Sequence, residues 1–390
     1  MKKAFFIALL FMLLLPLPSA AEDTDPSPSP VPGASPSPVT PESVLNGLDT
    51  GALESLFTQS GGGAFRETVL KITRGELVLS ADELFRALAE SLLSCLSGTL
   101  GRLTMLAVPC VLCGAARMVR GGARQKAVGG IVYAACYLMV ASVMVRDLSG
   151  YMTLIKNAVE KMATVMQALF PLLLTLLASV GSTGAAFFGP AVVASSGTMT
   201  AIVSTVTLRC ALLSAMLAIL SNLSDGMRIS RLRELFAKIV NWTLGVCFTV
   251  FIGVTALNGM GVSAADGVTL RTAKYAVDNF VPVVGGMFAD TMDTLVGCSL
   301  LIKNALGLTG LIVLLSVSMT PLMQALAGVL LYRGAAALLE PVGDERLVKC
   351  MHEFSESLML LFVVGLSVCG MFILLTAQLL AVGNMTVGFR

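Results

Sequence analysis

Asp290 and Asp293, two carboxylates one helical turn apart in an apolar stretch, are the residues of this sequence best placed to do chemistry. They follow an interruption at Pro282 and Gly285-Gly286, where proline removes a backbone donor and paired glycines weaken a helix. Upstream, Arg271, Lys274 and Asp278 share one helical face, and Lys274 and Asp278 are spaced to pair. Beyond the interruption, Gly286, Asp290, Asp293, Gly297 and Asn304 recur at spacings of four, three, four and seven, a small and polar stripe on an apolar helix. A carboxylate at mid-bilayer costs about 2.5–3.5 kcal/mol, so this pair should face water or protein rather than lipid. Three arrangements satisfy that constraint. The acids line an aqueous path, or they pair with an intramembrane base such as Arg102, Arg209 or Lys303, or the segment lies at the interface without spanning. The candidate pore-lining or helix-break residues are therefore Lys274, Asp278, Pro282, Gly285, Gly286, Asp290 and Asp293.

Other chemistry has little to stand on. The sequence contains no phosphate-cradling GxxxxGK[ST], no GxSxG, no HExxH and no acidic cluster at metal-ligand spacing. Its one histidine, His352, sits in a charged connecting segment. Cys110 and Cys113 form a CxxC, but they lie in an apolar helix four residues before Arg117, where cysteine behaves as a small hydrophobe. No catalytic, metal-binding or cofactor-binding residue is assigned, and no cofactor is expected.

The elements that must position these residues are membrane helices. Of 390 residues 56% are apolar and only 13% charged, about half the charge of a soluble domain. The balance of 26 basic against 24 acidic residues offers no surface for nucleic acid. These totals predict an all-α polytopic membrane protein in contact with lipid.

The chain start reads as an address. Lys2 and Lys3, an apolar run from Ala4 to Leu15 and the small residues Ser19-Ala20-Ala21 describe a secretory signal peptide over 1–21, which places the mature N-terminus outside the cytoplasm. Residues 22–41 are a Pro/Ser-rich linker with nothing to bury. From 42 to 90 the pattern becomes amphipathic, with Val44, Leu45, Leu48, Leu53, Leu56 and Phe57 near helical spacing, so a small helical extracytoplasmic region is expected there. It is too small for a robust core and should lean on the membrane or on a partner. Residues 91–390 form the transmembrane domain.

Clear apolar stretches occupy 92–116, 127–145, 200–220, 239–260, 305–331 and 358–382, with a weaker one at 281–302. The block 162–199, broken by Pro171, Gly181, Gly184, Gly189 and Pro190, either crosses the membrane twice or forms a re-entrant hairpin turning at 181–184, and segments this short and interrupted fit the hairpin better. About seven transmembrane helices plus that hairpin are expected. The basic loops 117–126 and 228–238 should be cytoplasmic. Counting onward from them puts the net-acidic segment 334–357 on the external side. Gly245, Thr249 and Gly253 repeat at four-residue spacing, a stripe suited to close packing within the bundle or, less simply, between copies in a homo-oligomer.

The stretch KYAVDNFVPVVGG (274–286), followed by FADTMD (288–293) and IKNALG (302–307), resembles the stage III sporulation protein AE family of endospore-forming bacteria. The layout resembles it too, from about residue 45 to 390, although the Pro/Ser linker has no counterpart. The resemblance implies a multi-pass protein of the mother-cell membrane surrounding the forespore, needed for late forespore gene expression after engulfment. It implies a part in a channel or secretion-like complex alongside an ATPase, small membrane proteins and ring-forming proteins of the same operon, with insertion aided by an Oxa1-type insertase. The pattern of discontinuous helices and intramembrane acids also suits a secondary transporter.

Overall fold

Long runs of Leu, Ala, Val and Met with few breakers leave the backbone only one way to satisfy its own hydrogen bonds in lipid, and that is helix. The computed structural model describes residues 51–59, 65–74, 81–118, 123–179, 194–223, 229–280 and 285–388, with side chains outside the description at 81–84, 116–129, 257–296, 382–388 and several single positions. Among the described residues the regular elements are helical throughout. In chain order they are α1 (Gly51–Gln59), α2 (Phe65–Thr73), α3 (Ala81–Met118), α4 (Ala123–Ser179), α5 (Ala194–Ser221), α6 (Ser230–Phe280), α7 (Gly285–Leu339) and α8 (Glu345–Gly388). Within α5, residues Val203–Thr207 form a π turn, in which the Leu208 N–H donates to the Val203 carbonyl five residues back.

Five helical stretches are long and apolar enough to cross a membrane: Gly130–Ala178, Ala194–Ser221, Ser230–Val254, Gly297–Leu339 and Glu345–Ala381. The two arms of α3, Phe85–Thr99 and Gly101–Ala115, meet at a bend of 45° and make a sixth if they form one span. The polytopic all-α class is as expected, but the count is lower than seven. Two expected reversals do not occur. Residues 281–302 and 305–331 were separated by Lys303 and Asn304, yet α7 runs through both, because Lys303 is buried and its ammonium donates to the Leu380 carbonyl at 3.0 Å and the Leu379 carbonyl at 3.4 Å. Residues 127–145 and 162–179 were separated by charges, yet α4 continues across them for 57 residues with Pro171 inside it. No separate re-entrant hairpin forms from 162–199: its arms are the end of α4 and the start of α5, and the turn at 181–184 lies outside the described residues.

Contacts between described residues show the six long helices alternating in direction. At one end, the close of α3, the start of α4, the close of α5, the start of α6 and the α7–α8 turn converge. Gly114 packs against Val342, Tyr133 donates to the Asn222 carbonyl at 3.0 Å, and Arg233 pairs with Glu356 at 3.0 Å. Toward the other end, Thr376 of α8 donates to Met166 Sδ of α4, Leu169 covers Gly310 of α7, and Met199, Val203, Phe251 and Phe372 line one crevice. The segment 334–357 therefore shares an end with the basic loops and is not across the membrane from them, which corrects the count made from hydropathy.

The small helices lean on the chain's own bundle, α1 on α4 and α2 on α7. Phe57 and Phe65 meet edge to face at 6.1 Å and bury with Leu53 and Val69. The glycines that matter for packing are not those of the 245–253 stripe. Gly245 and Gly253 face open space, whereas Gly307, Gly310 and Gly328 lie against Leu380, Leu169 and Tyr151.

Reporter fusions inserted in residues 224–228 and 340–343 are expected to read out the same compartment, and one after residue 388 the opposite compartment. Opposite readouts from the first two fusions would contradict this topology.

Candidate functional site

Inside a lipid-facing bundle each polar side chain must find a partner, and the described partners fall into three clusters. The first joins α3, α4 and α7. Asp147, mostly buried, accepts the Tyr332 hydroxyl at 2.8 Å and lies 3.7 Å from Arg102 Nη1, which also donates to the Tyr151 hydroxyl at 3.3 Å. The Tyr332 ring packs edge to face on Phe354 at 4.7 Å, and a Cβ at Gly328 would strike the Tyr151 ring. Arg102 is 45% exposed, so the ion pair itself contributes little, and the buried hydroxyl–carboxylate bond is the stronger member.

The second cluster closes the α7–α8 turn. Asp344 is fully buried and caps α8, its Oδ1 accepting the Arg346 N–H at 3.0 Å. Its other oxygen lies 3.8 Å from Cys113 Sγ, and Arg346 stacks over the Tyr133 ring at 5.6 Å. Gly343 bonds back to the Leu339 carbonyl at 2.6 Å; an added Cβ would stand 2.7 Å from that oxygen and 3.1 Å from Cys110 Sγ. Cys110 and Cys113 thus wedge a turn in place, the structural role that the sequence favoured. About two turns further along α8, Glu353 accepts from Asn222 Nδ2 at 2.9 Å and Ser221 at 3.1 Å, while the Arg233 guanidinium reaches the Glu353 carbonyl and the Glu356 carboxylate. Tyr137 donates to the Ile219 carbonyl and lies beside Cys350.

The third cluster is Lys303, held by two carbonyls of α8. Elsewhere the hydroxyls of Thr309, Ser367 and Thr376 donate to carbonyls four residues back on their own helices, the usual solution in lipid. Among the described residues no group of three or more His, Cys, Asp or Glu side chains gathers as a metal site. In all three clusters polar groups of one helix engage those of another, with the Arg233 Nε left as a buried atom without a hydrogen-bond partner, and this geometry suits fixing helices.

The residues singled out from sequence are placed only in part. Lys274 and Asp278 fall on the last turns of α6, and Gly285, Gly286, Asp290 and Asp293 on the first turns of α7, but their side chains lie outside the description. Pro282 falls in 281–284, between the two helices and outside the described residues. Of the bases considered as partners for the acids, Arg102 is engaged by Asp147 and Lys303 by carbonyls, while Arg209 is exposed on α5. Asp147, Tyr332 and Glu353 were missed as organising residues. Asp344 had a readable signal, a Pro-x-Gly-Asp turn ahead of a long helix.

A sequence model described as Stage III sporulation protein AE matches residues 64–383. The chain is also similar to Stage III sporulation protein AE of Bacillus subtilis (strain 168), with 32% identity over 288 residues covering 74% of this chain and 71% of the relative. No solved structure matches it.

Replacing Glu353 by Ala leaves Asn222 and Ser221 without their shared acceptor, and a stability loss of about 1–3 kcal/mol is expected in thermal unfolding in detergent. Glu353→Gln keeps one acceptor oxygen and should lose less; equal melting temperatures for Glu353→Ala and the native chain would show that the cluster does not hold the helices. Tyr332→Phe, which removes one bond to a carboxylate, is expected to cost about 1.5–3 kcal/mol in the same measurement.

Proposed function

We propose, on the premise that this chain belongs to the stage III sporulation protein AE family and so serves sporulation, that it is a non-enzymatic membrane subunit of the channel or secretion-like complex linking mother cell and forespore. The observation that carries this reading is the family match over 64–383, which takes in nearly the whole helical bundle. Polar clusters that join one helix to another, rather than a nucleophile beside a base, support a conduit or scaffold role. On this reading the chain sits in the mother-cell membrane around the forespore, with its leader over 1–21 removed and residues 22–90 in the intermembrane space. The basic end of the bundle, including the α7–α8 turn, then faces the mother-cell cytoplasm by the positive-inside bias. Its partners are the ATPase, the small membrane proteins and the ring-forming proteins of the same operon, and an Oxa1-type insertase assists its insertion. The complex serves late forespore gene expression after engulfment.

Asp290 and Asp293, with Lys274, Asp278 and the Pro282–Gly286 interruption, are the proposed functional core. The stop of α6 at Phe280 and the restart of α7 at Gly285 support a discontinuity there. That same discontinuity favours the competing reading, a secondary transporter with broken helices around its site. Uptake by vesicles containing this chain alone would decide for the transporter.

Asp290→Leu with Asp293→Leu is expected to leave the protein at its normal level in sporulating cells while lowering late forespore gene expression. Normal expression with normal protein level would remove these acids from the mechanism; loss of the protein would assign them a structural pairing role instead.

A further inference from the structure

The outer face of α4 is polar at a depth where the rest of the bundle is oily. Thr153, Lys156, Asn157, Glu160, Lys161 and Thr164 are all exposed, at helical spacing. The opposite face, with Ile155, Val159, Met162 and Val165, is buried in the core. Depth is fixed by the neighbours: a Cβ at Gly365 would touch Ile155, and Thr376 bonds Met166. Residues 155–166 therefore lie level with 365–376, an uncharged part of the most apolar span in the chain. On α6 the exposed large side chains between 242 and 252 are Trp242, Val246, Val250 and Ile252, which suit lipid, with Thr249 beside them bonded to its own helix. Three charges and an amide on α4 do not.

We propose that this face of α4 is the contact surface for a second copy of the same chain. Copies of one protein insert the same way round, so two α4 helices meeting across a membrane-normal axis set identical residues at identical depth. A surface that pairs with itself in that register needs both donors and acceptors: the Asn157 amide offers both, while Thr153 and Thr164, whose hydroxyls donate to the Ser149 and Glu160 carbonyls of their own helix, still accept. Glu160 sits between Lys156, 3.7 Å away on its own helix, and Lys161, so a neighbour's lysine or its own can neutralise it. Gly150, exposed at the near end of the stripe with open space above it, lets the two backbones draw together. The surface goes beyond the sporulation role proposed above and stands or falls separately from it.

The test is cross-linking of the full chain in native membranes. Asn157→Cys and Thr164→Cys, treated with a short bismaleimide, are expected to give a covalent species of twice the mass of the mature chain. Trp242→Cys on the lipid-facing side of α6, and the unsubstituted chain with its own nine cysteines, are expected to give little of it. Absence of that species from both α4 variants at normal membrane levels overturns the proposal, as does a product whose mass requires a different protein. Exchanging Lys156, Glu160 and Lys161 together for Leu in the Asn157→Cys chain should lower the yield, since the charged pairs are replaced by side chains that lipid accepts equally well. An unchanged yield would remove the charges from the contact.

Discussion

Hydrocarbon offers polar groups nothing to bond to, and that single constraint organises this molecule. The helices satisfy their backbones internally, but Arg102, Asp147, Lys303, Asp344 and Glu353 bring side chains that need partners within the bundle. Each is met from a different helix: Asp147 from α7, Lys303 from α8, Glu353 from α5. The apolar contacts make the bundle possible, and the polar ones decide which helix lies beside which and at what height. Leu for Leu, the apolar seams tolerate sliding; a tyrosine hydroxyl aimed at one carboxylate does not.

Close approach is the complementary device. Gly310, Gly307 and Gly328 on α7 receive Leu169, Leu380 and Tyr151, so α7 serves as the groove into which α4 and α8 set their side chains. The α7–α8 turn uses the same economy, with Gly343 pressed between the Leu339 carbonyl and Cys110. The contacts of this turn tie the basic end of the bundle, where the ends of α3, α4, α5 and α6 gather around it.

The class of fold was legible because composition alone excludes a soluble core, and the family was legible in a short stretch around Pro282. The number of crossings was not. Lys303 reads in sequence as the end of a span, since a window of hydropathy cannot see two carbonyls of α8 waiting for an ammonium. Arg146, Asp147, Lys156, Glu160 and Lys161 likewise read as a connection between the second span and the 162–199 block, although they decorate one continuous helix. The side of the membrane assigned to 334–357 was wrong for the same reason, since one false reversal inverts everything after it. The stripe at Gly245, Thr249 and Gly253 misled in the opposite sense, because spacing marks a possible contact and says nothing of whether a neighbour arrives. Asp290 and Asp293 were found by type and spacing, and their placement on the first turns of α7 leaves that reading where the sequence put it.

The π turn in α5 has a mechanical meaning of its own. Inserting one residue advances the helical phase by about 100°, so Ala194–Ile202 and Leu208–Ser221 look toward different quarters of the bundle despite lying on one rod. The upper half addresses Phe251 and Phe372, and the lower half delivers Ser221 and Asn222 to Glu353. Thr207, the last residue of that wide turn, keeps its hydroxyl buried without a hydrogen-bond partner, so the change of phase leaves one polar group unmet.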